Sequence, residues 1–380
     1  MQRVKDSYSE TFDSFSEMAA HYEQQSKESV WESVKVNEIQ ITPLEVGSPL
    51  VSSPSLFHSD VSATAIVDTI DNLGLAAQIN GVYYPLRNTA YKSLLDRAKI
   101  NGTVLPKLSR SKLADTLNYC LAIHEKAQAL ILIRNEKVSA VHSGDKRDYS
   151  VLPIDELLKS LNIMLNDRFP GTEMVSGYCD HSLTGATFEL RGHVDEMLED
   201  YKKVLDASGH AALSKQLMPA LRFQTSDVGI SSARVSAYLT GFQTPISIGS
   251  VVSVDHRREA KVENFTEDIQ RIYAQYRDQV DKLMKLTSIR LDYPVNAMIA
   301  ACKKLAPPKK AALEAISMFE MSWSNGDGTA HDVFLALQEI PFLLKSDGFP
   351  QRKLFETEEK LAGAVSLNWN SYDTAKAVSY

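Results

Sequence analysis

The amino-acid sequence predicts an α+β fold, in which an antiparallel sheet built from hairpins with packed helices is followed by a helical C-terminal region. Pairs of β-type segments separated by short turns recur before about residue 260. Apolar residues recur at helical spacing after that point. We therefore expect an N-terminal arm and linker over residues 1–60, an α+β core over 61–262 and a helical region over 263–380.

Composition and charge limit the class of protein. The chain has 380 residues, of which 44% are hydrophobic and 23% charged, and no apolar run is as long as a membrane span, so we expect a soluble globular protein. Its three cysteines are far apart, which argues against a disulfide framework and favours the reducing cytoplasm. The N-terminus lacks a basic segment followed by an apolar one, so we expect no secretory signal. A formal net charge of −7 excludes a wholly basic nucleic-acid-binding surface but not a local basic face.

Residues 1–35 are polar and charged, with few apolar positions. Phe12, Phe15, Met18 and Tyr22 lie three or four residues apart, which places them on one face of a short helix. Such a segment has too little apolar surface to fold alone. It must dock either on its own subunit or on a neighbour, and we expect a neighbour. This predicts a homo-oligomer assembled through the N-terminal arm.

Turn signals mark the elements that follow. Asn80-Gly81 is the strongest of them and predicts a hairpin over residues 79–86. Asn135-Glu136 separates two runs of β-type residues and predicts a second hairpin over 127–142. A Ser/Pro-rich loop is expected over residues 46–60, a third hairpin over 174–190, and helices over 61–73, 88–100, 111–122, 153–169 and 194–205.

Residues 217–261 are the stretch around which we expect the fold to be organised. Strands are predicted at residues 221–223, 234–239 and 245–254, since the last of these alternates apolar and small polar residues. One long amphipathic helix is expected over 264–291, another over 329–343, and helical segments over 354–365 and 369–378.

No catalytic signature is present in the sequence. There is no GxSxG, no HExxH and no Walker-type phosphate loop, so we expect neither an enzyme nor a cofactor. Cys179, His181 and His193 form the one cluster of cysteine and histidine, but the paired close ligands typical of zinc sites are missing. A turn histidine and a buried cysteine explain this cluster better than a metal ion does.

Short basic clusters remain in an otherwise acidic protein. If they converge beside the strands, they form a groove that follows a phosphate backbone, and nearby tyrosines supply stacking surfaces. The alternative is that each cluster is an ordinary solvated surface and that the tyrosines are packed. The clusters are Lys146-Arg147, Arg257-Arg258 with Lys261, Lys303-Lys304 and Lys309-Lys310, and the tyrosines are Tyr119, Tyr149, Tyr178, Tyr273 and Tyr276.

Four parts of the sequence form a recognisable pattern. They are Leu94–Ile100 continuing to Leu113–Asn118, the strand-rich centre leading into Gly241, Gly328–Phe334 and Glu358–Gly363. Together they resemble a family of phage- and plasmid-encoded proteins known only as domain of unknown function 932, and the resemblance covers roughly residues 90–375. It departs from the family pattern at Tyr238–Phe242, where only the glycine of a usual Asn-Gly step is kept, and at His331, where an aromatic residue is usual.

This resemblance implies DNA transactions in the cytoplasm of a bacterial host cell, because the genes of such relatives often accompany replication and recombination genes. The order of elements is also similar to the core of phage single-strand annealing proteins, which bind DNA between a sheet and a helix in oligomeric rings or filaments. The leading hypothesis is a non-enzymatic single-stranded-DNA-binding or annealing protein of a phage or plasmid, acting as an oligomer. The alternatives are a phage structural or assembly protein and an inhibitor of host defence.

The cations at the end of the central stretch give this hypothesis a site. They lie where the last predicted strand meets the long helix, and backbone N–H groups at a helix N-terminus attract phosphate. Glu259 and Glu263 lie in the same stretch and weaken its positive field. The predicted nucleic-acid-binding residues are Lys146, Arg147, Arg257, Arg258 and Lys261.

Overall fold

A computed structural model describes residues 2–241, 245–269, 271–323, 326–376 and 380, with the side chains of residues 2, 250 and 251 left out of the description. It confirms the α+β class, with antiparallel sheets before residue 260 and mostly helices after it. Among the described residues, no helix is both long enough and apolar enough to cross a membrane.

Between residues 61 and 262 the strands and helices largely follow the predicted order, whereas residues 1–60 contain three strands that the sequence did not predict. The strands are β1 Ser9–Phe12, β2 Val30–Lys35, β3 Gln40–Pro43, β4 Leu75–Ile79, β5 Val82–Pro85, β6 Gln128–Arg134, β7 Lys137–Ser143, β8 Glu173–Asp180, β9 Thr184–Glu189, β10 Met218–Thr225, β11 Ala233–Thr240, β12 Ile246–Val254, β13 Arg290–Leu291 and β14 Gly328–Thr329. The helices are α1 Phe15–Glu28, α2 Ala63–Asp71, α3 Asn88–Ala98, α4 Arg110–Ala122, α5 Ile154–Arg168, α6 Val194–Ala207, α7 Ala211–Gln216, α8 Val262–Ile269, α9 Ile272–Leu286, α10 Pro294–Leu305, α11 Lys309–Ser322, α12 Ala330–Leu337, α13 Glu339–Ser346 and α14 Gln351–Ala362.

Three antiparallel sheets and one short strand pair organise the chain. The largest sheet has six strands in the order β1-β8-β9-β10-β11-β12, so the central stretch supplies three neighbouring strands of one sheet. Two smaller sheets have the orders β2-β6-β7 and β3-β4-β5, and β13 pairs with β14. The expected hairpins at residues 79–86, 127–142 and 174–190 are confirmed as β4–β5, β6–β7 and β8–β9.

Two hairpin turns show why their sequences predict them. Asn80 and Gly81 have φ angles of +49° and +85°, and Asn135 and Glu136 have +48° and +69°. Positive φ at both central residues is the geometry that lets a two-residue loop follow the right-handed twist of its strands. Asparagine and glycine adopt it most readily, which is why the first turn is the stronger signal.

Buried apolar residues form two main cores, and these divide the chain near residue 145 rather than at 262. The smaller core draws its buried residues from Val34 to Val141. The larger core combines residues of β1 and α1 with residues from Leu152 to Trp369. The C-terminal helices therefore pack on the six-stranded sheet instead of forming a region of their own.

The N-terminal segment belongs to the fold of its own chain. β1 is an edge strand of the six-stranded sheet, and α1 packs against α5 and β8. Phe12, Met18 and Tyr22 are at most 5% exposed, so the apolar stripe is already covered within the chain. The stripe therefore docks on its own chain, and the homo-oligomer expected from it stays a prediction. Phe12 also lies in a strand, not on the predicted helix.

Three expected helices are shorter than predicted. The helix over 264–291 is two helices, α8 and α9, separated at Arg271, whose N–H bonds to the Asp268 carbonyl in a turn. The helix over 329–343 breaks at Gln338 because Pro341 has no N–H to donate to the preceding turn. Residues 369–376 contain a single helical turn, and residues 377–379 of the expected closing helix lie outside the described residues.

Candidate functional site

A cleft of about 820 Å³ lies between the two cores. The smaller core contributes one wall through α3 and the end of β7. The larger core contributes the opposite wall through the β10–β11 loop, the residues after β12 and the first turns of α14. Clefts between domains are the usual place for ligand sites, because two independently shaped surfaces face each other there.

Stacked rings form the floor of this cleft. The rings of His142 and Tyr149 are 3.5 Å apart between centroids and nearly parallel, with an interplanar angle of 4°. His256 stacks on the other side of Tyr149 at 5.7 Å, and Trp31 adds a fourth ring at 6.1 Å from His142. The stack joins the two cores, because His142 ends a strand of one core and His256 follows a strand of the other.

Backbone acceptors hold the stack in place. The Asp227 carbonyl accepts hydrogen bonds from Tyr149 Oη and His142 Nε2, both at 2.8 Å. The Asp227 carboxylate binds the buried Arg134 guanidinium, which fixes the β10–β11 loop against β6. His256 contacts Thr225 Oγ1 and the Ser150 carbonyl, each at 3.3 Å.

Burial controls the protonation of the two histidines. It lowers the pKa of His142 to about 4, and hydrogen bonding to the Asp227 carbonyl offsets only part of this effect. Burial also lowers the pKa of His256. Both imidazoles are therefore neutral near pH 7, and the positive charge of the cleft comes from arginine and lysine.

His142 makes folding stability depend on pH in a defined window. Its folded pKa of about 4 lies below the ordinary value of 6.5, so between these values the unfolded chain binds the extra proton. Stability is full above pH 6.5 and is lost as the pH falls toward 4, by about 3 kcal/mol for this residue. We expect His142→Asn to remove the His142 share of this slope in urea unfolding, while His181 and His331, whose pKa values burial also lowers, keep theirs. His58→Asn, at a side chain 38% exposed, is the control and should leave the slope in place.

A second, mainly cationic part of the cleft adjoins the first. Its volume is about 850 Å³, and Arg97 and Arg257 line both parts. Within the part of the chain that the structure describes, none of its cations forms an ion pair. Three carboxylates, Asp148, Asp255 and Asp268, also line this part and moderate its positive field. The cations are Arg97, Lys99, Arg147, Arg257 and Arg258.

A strained turn brings the two predicted basic segments together. Residues 257–260 turn back on themselves, with φ angles of +57° at Arg258 and +59° at Glu259. Left-handed geometry at successive non-glycine residues costs free energy, and here it is held by backbone hydrogen bonds. Arg258 N–H donates to the Arg147 carbonyl at 3.0 Å, and Glu259 N–H donates to the Lys146 carbonyl at 3.1 Å.

The structure places the five predicted site residues in two groups. Arg147, Arg257 and Arg258 are exposed and line the cationic part of the cleft. Lys146 and Lys261 are exposed next to them but are not among the lining residues. Whether any of the five contacts DNA stays a prediction.

Sequence reasoning missed the cations of α3. Lys92 lines the first part of the cleft, Lys99 the second, and Arg97 both. The Arg97 Nε atom is buried and has no hydrogen-bond partner among the described residues. Burial lowers the pKa of Arg97. The sequence does indicate these cations, because Lys92, Arg97 and Lys99 cluster toward the end of α3.

The expected stacking tyrosines do not offer free ring faces in this cleft. Tyr276 is fully buried, and its hydroxyl donates to the Tyr238 carbonyl at 2.8 Å. Tyr149 is 7% exposed, and His142 and His256 cover its two faces. The lysine pairs at 303–304 and 309–310 lie outside the cleft. Base stacking is therefore wrong for Tyr149 and Tyr276. For Tyr119, Tyr178 and Tyr273, which do not line the cleft, it stays a prediction.

The Cys/His cluster singled out from the sequence does not converge. His181 Nε2 contacts the Lys5 carbonyl at 2.9 Å, and His193 Nδ1 contacts Glu196 at 2.9 Å. Cys179 lies instead beside His21 and Glu10, and the donor atoms of these three residues are all within 4.8 Å of one another. These partners come from the N-terminal segment, so their spacing in the sequence gave no metal-binding signal.

Comparison with known proteins adds no relative to this description. No protein-family model, no curated protein and no solved structure matches the chain. The function is therefore inferred from the residues of the cleft.

Proposed function

We propose that the protein binds single-stranded DNA through its phosphate backbone in the cleft between the two cores, without catalysing a reaction. The observation that carries this proposal is a set of five cations that form no ion pair within the described residues, contributed by α3 and the residue after it, the segment after β7 and the turn after β12. Cations that are not ion-paired keep an attraction for an external anion, although the three carboxylates of the same part of the cleft reduce it. Successive phosphates are the anions that a groove of this kind accommodates.

Polar groups of the first part of the cleft extend this cationic surface. Ser231 and Ser232, in the β10–β11 loop, line the same space as Lys92 and Arg257. Hydroxyl donors and long cationic side chains are the groups that most often contact phosphate and sugar. Because the stacked rings are covered, the proposal assigns affinity to the backbone of the strand and predicts little preference for base sequence.

The biological role of DNA binding is inferred from observations outside the cleft. Strand annealing for a phage or plasmid is supported by the resemblance to phage-encoded proteins and not by the cleft. An oligomer was expected from the N-terminal apolar stripe, which is buried within its own chain. The proposal therefore concerns one chain with one groove.

A fluorescence titration of a labelled single strand across a range of salt concentrations tests the proposal. Each phosphate contact contributes about 0.7 to the slope of log affinity against log salt, so five cations predict a slope of about −3.5. Replacing the mixed-sequence strand by oligo-dT should change the affinity little. Wild-type protein without salt-sensitive binding would overturn the proposal and favour a phage assembly protein or an inhibitor of host defence.

A further inference from the structure

We propose that Glu10, His21 and Cys179 bind a zinc ion, with a fourth coordination position open to the surface. The proposal is independent of DNA binding, because this cluster lies at the other edge of the six-stranded sheet from β12. The three residues supply a carboxylate, an imidazole and a thiol. This mixture of oxygen, nitrogen and sulfur donors suits zinc, whereas magnesium and calcium prefer oxygen donors alone.

Backbone register fixes two of the donors. Glu10 in β1 and Cys179 in β8 are directly paired residues of the antiparallel ladder, so their side chains point to the same face of the sheet. His21 reaches this face from α1, where its ring packs against Phe12 at 5.1 Å. The donors are thus held by a strand pair and a helix rather than by mobile loops, as a preorganised site requires.

The separations between the donors fit one ion. Cys179 Sγ lies 3.7 Å from His21 Nε2. Tetrahedral bonds of ordinary length place sulfur and nitrogen about 3.5 Å apart around zinc. The donor atoms of the three residues lie within 4.8 Å of one another. Glu10 is half-exposed and contacts His21 Nδ1 at 3.3 Å, so a rotation of its side chain can bring a carboxylate oxygen toward an ion bound at Nε2.

Charge and access also fit. Arg3 Nη2 lies 3.2 Å from His21 Nδ1 and 4.0 Å from a Glu10 carboxylate oxygen. A thiolate and a carboxylate together neutralise the zinc charge, so Arg3 lies beside a neutral centre. Tyr8 hydrogen-bonds to Glu10 and lies 3.8 Å from Cys179 Sγ. Both Tyr8 and Glu10 line a surface groove of about 900 Å³, so the Glu10 side of the cluster is open to solvent, whereas His21 and Cys179 are buried.

Cobalt substitution tests this proposal on the full chain. Co²⁺ bound to a thiolate gives a charge-transfer band, which Zn²⁺ should remove by competition. We expect the band in the wild-type protein and not in Cys179→Ser. Cys302→Ser is the matched control, since Cys302 is equally buried but lies among the C-terminal helices, and it should keep the band. No band in the wild-type protein, or a band that persists in Cys179→Ser, would overturn the proposal.

A surface variant keeps the test decisive if Cys179→Ser fails to fold. Glu10→Gln changes a half-exposed side chain and leaves the cysteine in place. We expect it to bind Zn²⁺ about tenfold more weakly or worse, as loss of a ligating or orienting carboxylate does. Affinity equal to the wild type would contradict the assignment of Glu10. Binding of single-stranded DNA by this variant should be unchanged, which separates failure of the zinc site from failure of the DNA-binding cleft.

Discussion

Charge reversal of both Arg257 and Arg258 to glutamate is expected to abolish binding of single-stranded DNA. The two side chains are exposed, line the cationic part of the cleft and form no ion pair among the described residues. Reversal removes two phosphate contacts and adds two repulsive charges, which costs several kcal/mol, or about 100-fold or more in affinity. A fluorescence titration measures this loss, and any residual binding should depend less steeply on salt.

A matched control separates the cleft from net charge. Lys303→Glu with Lys304→Glu makes the same change of charge at exposed residues near the end of α10, away from the cleft. We expect this variant to bind DNA nearly as the wild type does. Thermal unfolding of both double variants should stay close to that of the wild type, because neither pair is buried. Equal losses of binding in both variants would show that the cleft is not the binding site.

Removing the Glu358 carboxylate is expected to produce the largest loss of stability. Glu358 is 3% exposed and binds the Arg222 guanidinium, which lies 4.0 Å from the Tyr238 ring centroid and 4.6 Å from that of Phe355. Glu358→Ala leaves a positive charge buried without its partner, which costs about 3–5 kcal/mol. Urea unfolding, followed by circular dichroism, measures this change.

An exposed ion pair provides the comparison for Glu358. Arg191 and Glu173 form an ion pair whose side chains are 50% and 59% exposed. Glu173→Ala should therefore cost far less stability than Glu358→Ala. The buried pair would be of minor importance if the two variants lost similar stability. Because burial also raises the pKa of Glu358, the comparison should be made at neutral pH or above.

Local chemistry explains which elements were predictable. The β4–β5 turn is fixed by Asn80 and Gly81, which adopt positive φ at little cost, so the sequence alone locates the hairpin. Alternation in residues 245–254 likewise indicates β12. The break before α13 was also within reach, since Pro341 lies inside the expected helix, and proline interrupts the hydrogen bonding of a helix interior.

Long-range packing explains what was not predictable. The stripe of the N-terminal segment has the same pattern whether it packs on its own chain or on another, so the sequence cannot choose between them. In the sequence, Arg97 is an ordinary cation near the end of a helix. Its place in the cleft follows only from the fold, in which β12 and the turn after it lie opposite α3. Cys179 and His21 are 158 positions apart and meet only because β1 pairs with β8.

The path of the chain through the two cores determines which part of the fold can change in sequence independently of the rest. The chain begins in the larger core, leaves it after α1 to build the smaller one, and returns before α5. The points of departure and return are neighbours, since Ser29 and Leu152 line the same cavity of about 180 Å³. The smaller core is thus a guest domain inserted into a continuous host domain. Insertions with adjacent ends can be lengthened, exchanged or lost without reordering the host strands. One wall of the cleft can therefore diverge in sequence while the six-stranded sheet stays as it is.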